Sequence, residues 1–523
     1  MRRKIGFWEA YSIGVGGMIG GGIFAVLGLT ILLSKGAAPV AFIFAGIIAL
    51  ITSYSYAKLS VRYPSEGGTV EFLVRGFGNN LFTAYLNTLL LVSYVIMLSL
   101  YSYAFGSYGS ALIFGHEIAL YKKLLIAGVI FFFALVNFLG AYVSGKAEDV
   151  MVFLKLGILL LFSGLGFLTG NFSKLSPENW ESLLKIMVGG LIIFLAYEGF
   201  ELIANTARDI KNPEKNLPRA FYASVLTVIF VYVLVSAVAV ANLSYEEVVK
   251  YKDYALAVAA EPILGKFGFI LIGIAALLST ASAINATLYG SARVSYLVAK
   301  FGVLPKNLTR KVWKEGTEGL LIISILSVFF AVTFNLENIS IAGSFGFLSI
   351  FAAVNFANWR LRNYTDSIGS ISLLGFILCL ISGTVLIGYN IKTSPSSLES
   401  LTLVLLGTFI FELFYRTFTT VRLKPYIDWR LEEGERFIKN FEYFLTLFEK
   451  NLKHEFEDAE VKVEGNINKG KEKAGFVRLR LTSKTPNKLK KKLPDILRKS
   501  HIKSYHPIEV IVEDKGNENR VSN

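Results

Sequence analysis

Apolar residues run through this chain in long unbroken stretches. Twelve of them reach the roughly 17 to 25 residues a helix needs to cross a bilayer: near 8–33, 37–61, 81–114, 121–141, 149–170, 185–206, 219–242, 266–299, 318–335, 338–360, 368–390 and 399–418. The pattern predicts an all-α membrane protein with 12 transmembrane helices over residues 1–420. Beyond that point the periodicity changes. Residues 431–458 place Phe437, Phe441, Phe444, Leu445, Phe448 and Leu452 at helical spacing. Alternating runs follow at 459–464 and 475–481, then a helix through Lys488–Lys499 and a strand-like run Ile508–Glu513. This order predicts a small cytoplasmic α+β domain over 421–515, with 516–523 as a disordered tail.

Two interruptions stand out in the apolar pattern. The first stretch carries Gly14, Gly16, Gly17, Gly20, Gly21 and Gly22, and each interior glycine costs a helix about 1 kcal/mol relative to Ala. One reading is close helix packing, which Gly16-x-x-x-Gly20 satisfies. The other is a broken helix. In hydrocarbon the freed backbone groups of a break are tolerable only where they are buried in protein, face a cavity or bind something. The start of the second half-helix then offers positive partial charge to a carboxylate.

The second interruption lies five stretches further on, where Glu198, Gly199 and Glu201 sit in the middle of an apolar span. Charge at that depth is costly and marks a pathway or site. Paired breaks at corresponding places in two halves point to an inverted-repeat transporter with its site at the midplane. Helices 1–5 (about 8–170) and 6–10 (185–360) would be the repeats, with two extra helices over 368–418.

Composition agrees with the membrane reading: 53% of the 523 residues are hydrophobic and only 18% charged. The formal net charge of +14 is mostly a topology signal, because Lys and Arg concentrate in alternate loops. That places both termini in the cytoplasm of a multi-pass cell membrane protein and argues against a nucleic-acid partner. The apolar run after Met1-Arg2-Arg3-Lys4 is too long for a cleaved signal and reads as the first crossing. Cys379 stands alone, and His116, His454, His501 and His506 are scattered without ligand spacing. With no phosphate-binding loop either, the chain reads as neither an enzyme nor a metal or cofactor protein.

Four motifs now resemble one family. They are Gly16-Gly17-Met18-Ile19-Gly20-Gly21-Gly22-Ile23-Phe24, Tyr63-Pro64-Ser65-Glu66-Gly67-Gly68-Thr69, Ala196-Tyr197-Glu198-Gly199-Phe200-Glu201, and the loop Ala207 to Ala220 containing Asn212-Pro213 and Pro218-Arg219. In order and at these helices they resemble the amino acid-polyamine-organocation (APC) superfamily, over roughly residues 5–420. The resemblance implies a LeuT-type 5+5 inverted repeat with helices 1 and 6 broken. It implies that a substrate carboxylate meets the amides of Gly21, Gly22 and Ile23, and that the ammonium meets carbonyls near Met18, Ala196 and Glu198. Phe194 or Leu195 lies at the family's gating position, although Leu195 departs from the usual bulky ring. The loop after helix 6 reads as a structural connector.

Coupling rests on Lys155. It either snorkels to the cytoplasmic interface or, as in proton-coupled members of the family, puts its ammonium where sodium-coupled relatives bind a cation. A lysine shielded from water can release its proton and so carry one. Ser279 and Thr280 are the partner candidates on helix 8, with Ser282 weaker, although membrane-helix hydroxyls commonly bond their own backbone. Glu198 and Glu201 could join proton traffic or attract a cationic substrate. The expected function is secondary active, proton-coupled, sodium-independent amino acid symport by alternating access. An amino acid/polyamine exchanger and a non-transporting amino acid sensor are the alternatives. Expected partners are an amino acid, protons and membrane lipid, the basic run Lys488 to Lys492 being a lipid contact or a solvated helix face. The C-terminal domain reads as a regulatory or dimerising module, the latter giving a homodimer.

Overall fold

Because backbone groups in lipid must be satisfied within the segment, the apolar stretches should be helical, and they are. The computed structural model describes residues 5–65, 67–78, 80–139, 145–300, 304–314, 316–418, 445, 448–464, 477–483, 485–499 and 508–514. The chain divides into two units, 1–423 and 424–523.

In the first unit the opening stretch forms α1 (Phe7–Met18) and α2 (Gly22–Ser34), bent by 43° at the glycines. Then come α3 (Ala38–Arg62), α4 (Thr69–Phe77), α5 (Leu81–Phe114), α6 (Ala119–Phe138) and α7 (Gly145–Thr169). The sixth stretch is divided into α8 (Leu183–Ile192), a 3-10 turn over Phe194–Tyr197 and α9 (Leu202–Asn205). It is followed by α10 (Pro213–Asn242), α11 (Tyr245–Tyr251) and α12 (Ala255–Lys300). The last helices are α13 (Glu318–Thr333), α14 (Leu336–Arg360), α15 (Arg362–Thr365), α16 (Gly369–Thr393) and α17 (Leu398–Phe418).

Among the described residues nine helices are long and apolar enough to cross a membrane, or ten with the bent α1–α2 pair. Two expected crossings fall short of that test: the divided sixth stretch, and α13, which has 16 residues. The eighth begins where the sequence placed it, because Gly265 at φ +63° interrupts α12 just before residue 266. The centre of the unit is α5 and α14, buried over 72% and 83% of their most apolar windows, against 28% for α6 and α17. The latter two therefore present mostly outward apolar surface, as a lipid-facing helix must.

In the second unit, Glu460–Glu464 pairs antiparallel with Val477–Ser483, which pairs in parallel with Ile508–Asp514. The helix Pro486–Lys499 supplies the crossover that a parallel pair needs. Phe448 and Leu452 are fully buried with Leu481, Leu489 and Ile496, so that part of the amphipathic face packs on its own sheet and helix. Phe437, Phe441 and Phe444 lie outside the described residues. Lys488, Lys491 and Lys492 are exposed, and Lys492 pairs with Glu455 at 2.9 Å.

Candidate functional site

The two breaks meet backbone to backbone. Gly199 takes φ +124°, a value that favours glycine, and a Cβ built on it would lie 2.5 Å from Gly17 C and Met18 N. A Cβ on Gly17 would in turn lie 2.8 Å from Gly199 Cα. The first glycine cluster therefore serves both readings drawn from the sequence. Gly20 packs tightly, its built Cβ 2.5 Å from Ala283, while residues 19–21 leave the helix. Among the described residues no backbone carbonyl accepts from the amides of Gly21, Gly22 or Ile23, the positive end of α2.

Two tyrosines clamp this crossing. Tyr232 of α10 donates to the carbonyls of Met18 (2.7 Å) and Ala196 (3.0 Å), one from each break, and the amide of Ile23 lies against its hydroxyl. The carbonyls expected to receive a substrate ammonium thus already share one buried hydroxyl. Tyr101 of α5 donates to Gly17 O at 3.2 Å, and its ring covers Gly21 so closely that a built Cβ would lie 2.2 Å from Cδ1. Gly22 is closed off by Ala196 in the same way, at 2.8 Å.

Glu198 and Glu201 are both buried, and their side chains lie in hydrogen-bonding contact. Glu201 also accepts from the Gly199 amide at 2.7 Å and from the Tyr94 hydroxyl at 3.5 Å. Ser279 donates to the carbonyl of Ile19 at 2.5 Å, which places helix α12 on the first break. Thr280 instead donates to Ala276 O of its own helix at 2.7 Å. Lys155 is buried on α7, 4% exposed. Phe194 and Leu195 are buried. The Leu195 amide donates to Ser344 Oγ at 3.0 Å, and Phe194 packs edge-on to Phe351.

The other two motifs converge on the same half-helices. Ile5 and Lys211 exchange backbone bonds with the loop after α9 and the start of α1 (Ile5 N to Asp209 O 3.0 Å, Lys211 N to Ile5 O 2.8 Å), which makes that loop a connector in fact. Gly68, at φ +41°, abuts Asn205 of α9, its built Cβ 2.3 Å from Oδ1.

The sequence profile of the amino acid permease family matches residues 5–363, a span holding both breaks and all four motifs. The chain belongs to that family. As an APC superfamily permease it is a multi-pass membrane transporter of amino acids and not an enzyme. It is 39% identical to an uncharacterized protein of Methanocaldococcus jannaschii, over 80% of this chain and 96% of that one. It is 34% identical to the inner membrane transport protein YbaT of Escherichia coli, over 74% and 90%. In fold the permease is similar to a manganese transporter of Eremococcus coleocola, with a TM-score of 0.50 at 11% identity over 79% and 96% of the two chains.

Sequence reading passes over Tyr94, Tyr101, Tyr232 and Ser344, whose side chains bond groups at the two breaks. Each lies within a long, mostly apolar helix, where its role depends on which neighbour it faces. The one available signal was their depth: a hydroxyl in mid-span needs an acceptor, and the breaks supply unpaired carbonyls.

Proposed function

We propose that this permease is a proton-coupled, sodium-independent amino acid symporter that works by alternating access. Twelve crossings, arranged as two inverted five-helix repeats (8–170 and 185–360) plus two further helices, would place both termini in the cytoplasm. The observation that carries the reading is the crossing of the two breaks: among the described residues the amides of Gly21 and Gly22 have no backbone acceptor, and the second break carries the buried carboxyls of Glu198 and Glu201. A zwitterion needs one anion site and one cation site, and this crossing has the makings of both. Its ammonium would compete with the Tyr232 hydroxyl for the carbonyls of Met18 and Ala196. Lys155, buried in an apolar helix, is the proton carrier, and Ser279, bonded to Ile19 at the first break, is its expected partner on α12. The second unit is proposed as a cytoplasmic regulatory or dimerising module.

Uptake of labelled amino acids into proteoliposomes tests this. An inward proton gradient should drive accumulation without sodium, and Lys155→Ala should abolish accumulation while leaving binding intact. Sodium-dependent uptake, or full accumulation by Lys155→Ala, overturns the coupling. Transport that requires an amino acid or polyamine inside the vesicle marks an exchanger, and binding without any transport marks a sensor.

A further inference from the structure

Three rings stack in a row where α4 meets the end of α14. Phe77 of α4 lies on Phe356 of α14 with centroids 6.0 Å apart, and Phe356 lies on Trp359 at 5.3 Å, the planes inclined by 16° and 26°. A guanidinium caps each end of the row: Arg360 sits over Phe77 at 5.7 Å and Arg362 over Trp359 at 5.0 Å. The three rings are half-buried and Arg360 is exposed. Phe82, exposed and 5.2 Å from Phe77, carries the row onto the outward apolar surface of α5. Among the described residues neither Arg360 nor Arg362 has a carboxylate within ion-pair distance. By contrast, Arg75 of α4 has Glu71 at 2.7 Å, and Arg310 has Glu318 at 3.6 Å. Arg362 spends one N–H group on Trp359 O, at 2.9 Å.

We propose that this row is a binding site for an anionic phospholipid, its head group held by Arg360 and Arg362 and an acyl chain lying along the rings. A guanidinium is weakly hydrated, stacks on aromatic faces and matches a phosphate with two parallel N–H groups. The depth also fits. Helix α14 ends at Arg360, while α5 begins at Leu81 and α16 at Gly369, so the arginines lie where membrane-crossing helices leave the hydrocarbon and the rings lie just inside it. Arg362 packs against the start of α16, where a Cβ built on Gly369 would lie 2.9 Å from its Cδ, and no side chain caps that helix end. A loop cation that served only to orient the chain would need no ring beneath it. A soluble phosphate would use the arginines and leave the rings without a ligand, whereas a phospholipid uses both. Because the row joins α4 to α14, a bound lipid would tie those two helices together. The site stands apart from the crossing of the breaks and from the choice of transported substrate.

Native mass spectrometry of the full-length permease, stripped of lipid in detergent and titrated with palmitoyl-oleoyl phosphatidylglycerol or phosphatidylcholine, tests it. The wild type should retain phosphatidylglycerol in preference to phosphatidylcholine. The double variant Arg360→Gln, Arg362→Gln should bind phosphatidylglycerol about tenfold more weakly, and Arg360→Lys with Arg362→Lys should recover part of that loss. Phe77→Leu, which keeps both cations and removes one ring, should also weaken binding. The control is Lys211→Gln with Lys215→Gln, which removes two exposed charges elsewhere and should bind as the wild type does. Size-exclusion profiles establish that each variant is folded, and should Phe77→Leu fail there, the two arginine variants and the control decide alone. Equal weakening by the arginine and the lysine pairs would reduce the effect to surface charge and overturn the site. So would wild-type affinity in the glutamine pair, or the absence of any preference for phosphatidylglycerol. Wild-type affinity in a folded Phe77→Leu protein, or displacement of the lipid by glycerol 3-phosphate at equal concentration, would overturn the acyl-chain assignment and leave a site for a soluble phosphate.

Discussion

Replacing Gly199 by Ala puts a methyl group where two half-helices touch. Its Cβ would lie 2.5 Å from Gly17 C and Met18 N, backbone atoms that cannot rotate away. Overpacking of this kind costs about 1–3 kcal/mol. The φ of +124° adds the strain of a region that is nearly glycine-only, about 1–3 kcal/mol more, so the total is roughly 2–6 kcal/mol. Gly17→Ala separates the two causes. Its Cβ meets Gly199 Cα at 2.8 Å, but Gly17 lies in α1, where Ala is favoured over Gly by about 1 kcal/mol, leaving a net cost of roughly 0–2 kcal/mol. Gly157→Ala on α7 is the control, because nothing lies within 4 Å of its built Cβ. Thermal unfolding in detergent, with uptake measured in parallel, should rank stability as Gly157→Ala, then Gly17→Ala, then Gly199→Ala. A Gly199→Ala protein within about 0.5 kcal/mol of wild type, or a Gly17→Ala protein equally damaged, would refute the reasoning.

Tyr232→Phe should cost about 1–3 kcal/mol, because the carbonyls of Met18 and Ala196 lose a buried donor; an unchanged melting temperature would show that the clamp is idle. Lys122, 9% exposed, bridges Asp253 (3.1 Å) and Glu117 (2.8 Å) over the ring of Tyr103. Lys122→Ala should therefore destabilise by about 3–5 kcal/mol, and adding Asp253→Leu should recover part of the loss, whereas strict additivity in the double-mutant cycle would argue against a coupled pair. Outside the membrane, hydrogen bonds from Lys35 and Lys185 hold the Glu181 carboxyl below its ordinary value of 4.5, and Glu181 raises Lys35 above 10.5. A lowered carboxyl stabilises above its unfolded pKa and a raised amine below its own, so the contact acts between the two. The melting-temperature difference between wild type and Glu181→Gln should be flat between them, shrink as pH falls through the acid range and shrink again at strongly alkaline pH; a difference that grows on acidification would reverse the sign.

Helix lengths were legible because lipid forces each apolar stretch to close its own hydrogen bonds, and that constraint acts locally. The breaks were legible for the converse reason. Six glycines and two carboxylates are costly in hydrocarbon, so their presence needs a compensating contact, and Gly17 against Gly199 is that contact. The identity of the neighbours was not legible. Tyr101 and Tyr232 look like other apolar-span tyrosines until α5 and α10 are packed, and adjacent Ser279 and Thr280 take opposite roles because successive residues face different sides of α12. The short α4 was also missed, since its nine residues cannot span a bilayer and the motif before it reads as loop.

The convergence of the motifs constrains how the proposed alternation can proceed. At one end of α1 the backbone of Ile5 is laced to Asp209 and Lys211, and at the other Gly17 lies in the backbone of Gly199. The first half-helix of the first break and the segment after the second are thus joined at both ends. Neither can tilt without the other unless these contacts break. Gly68 against Asn205 and Arg208 Nε to Pro64 O (3.4 Å) add the α3–α4 turn to the same body. Among the described residues the attachment to α12 at the first break is lighter, with the Ser279 bond to Ile19 and the approach of Ala283 to Gly20. A cavity lined by Gly17, Asn137, Met151, Leu202 and Leu278 lies along this lighter seam, where α12 faces α1 and α9. A rigid-body movement would therefore open there first, since separating packed helices along a seam with few bonds disrupts less than unlacing a doubly tied pair.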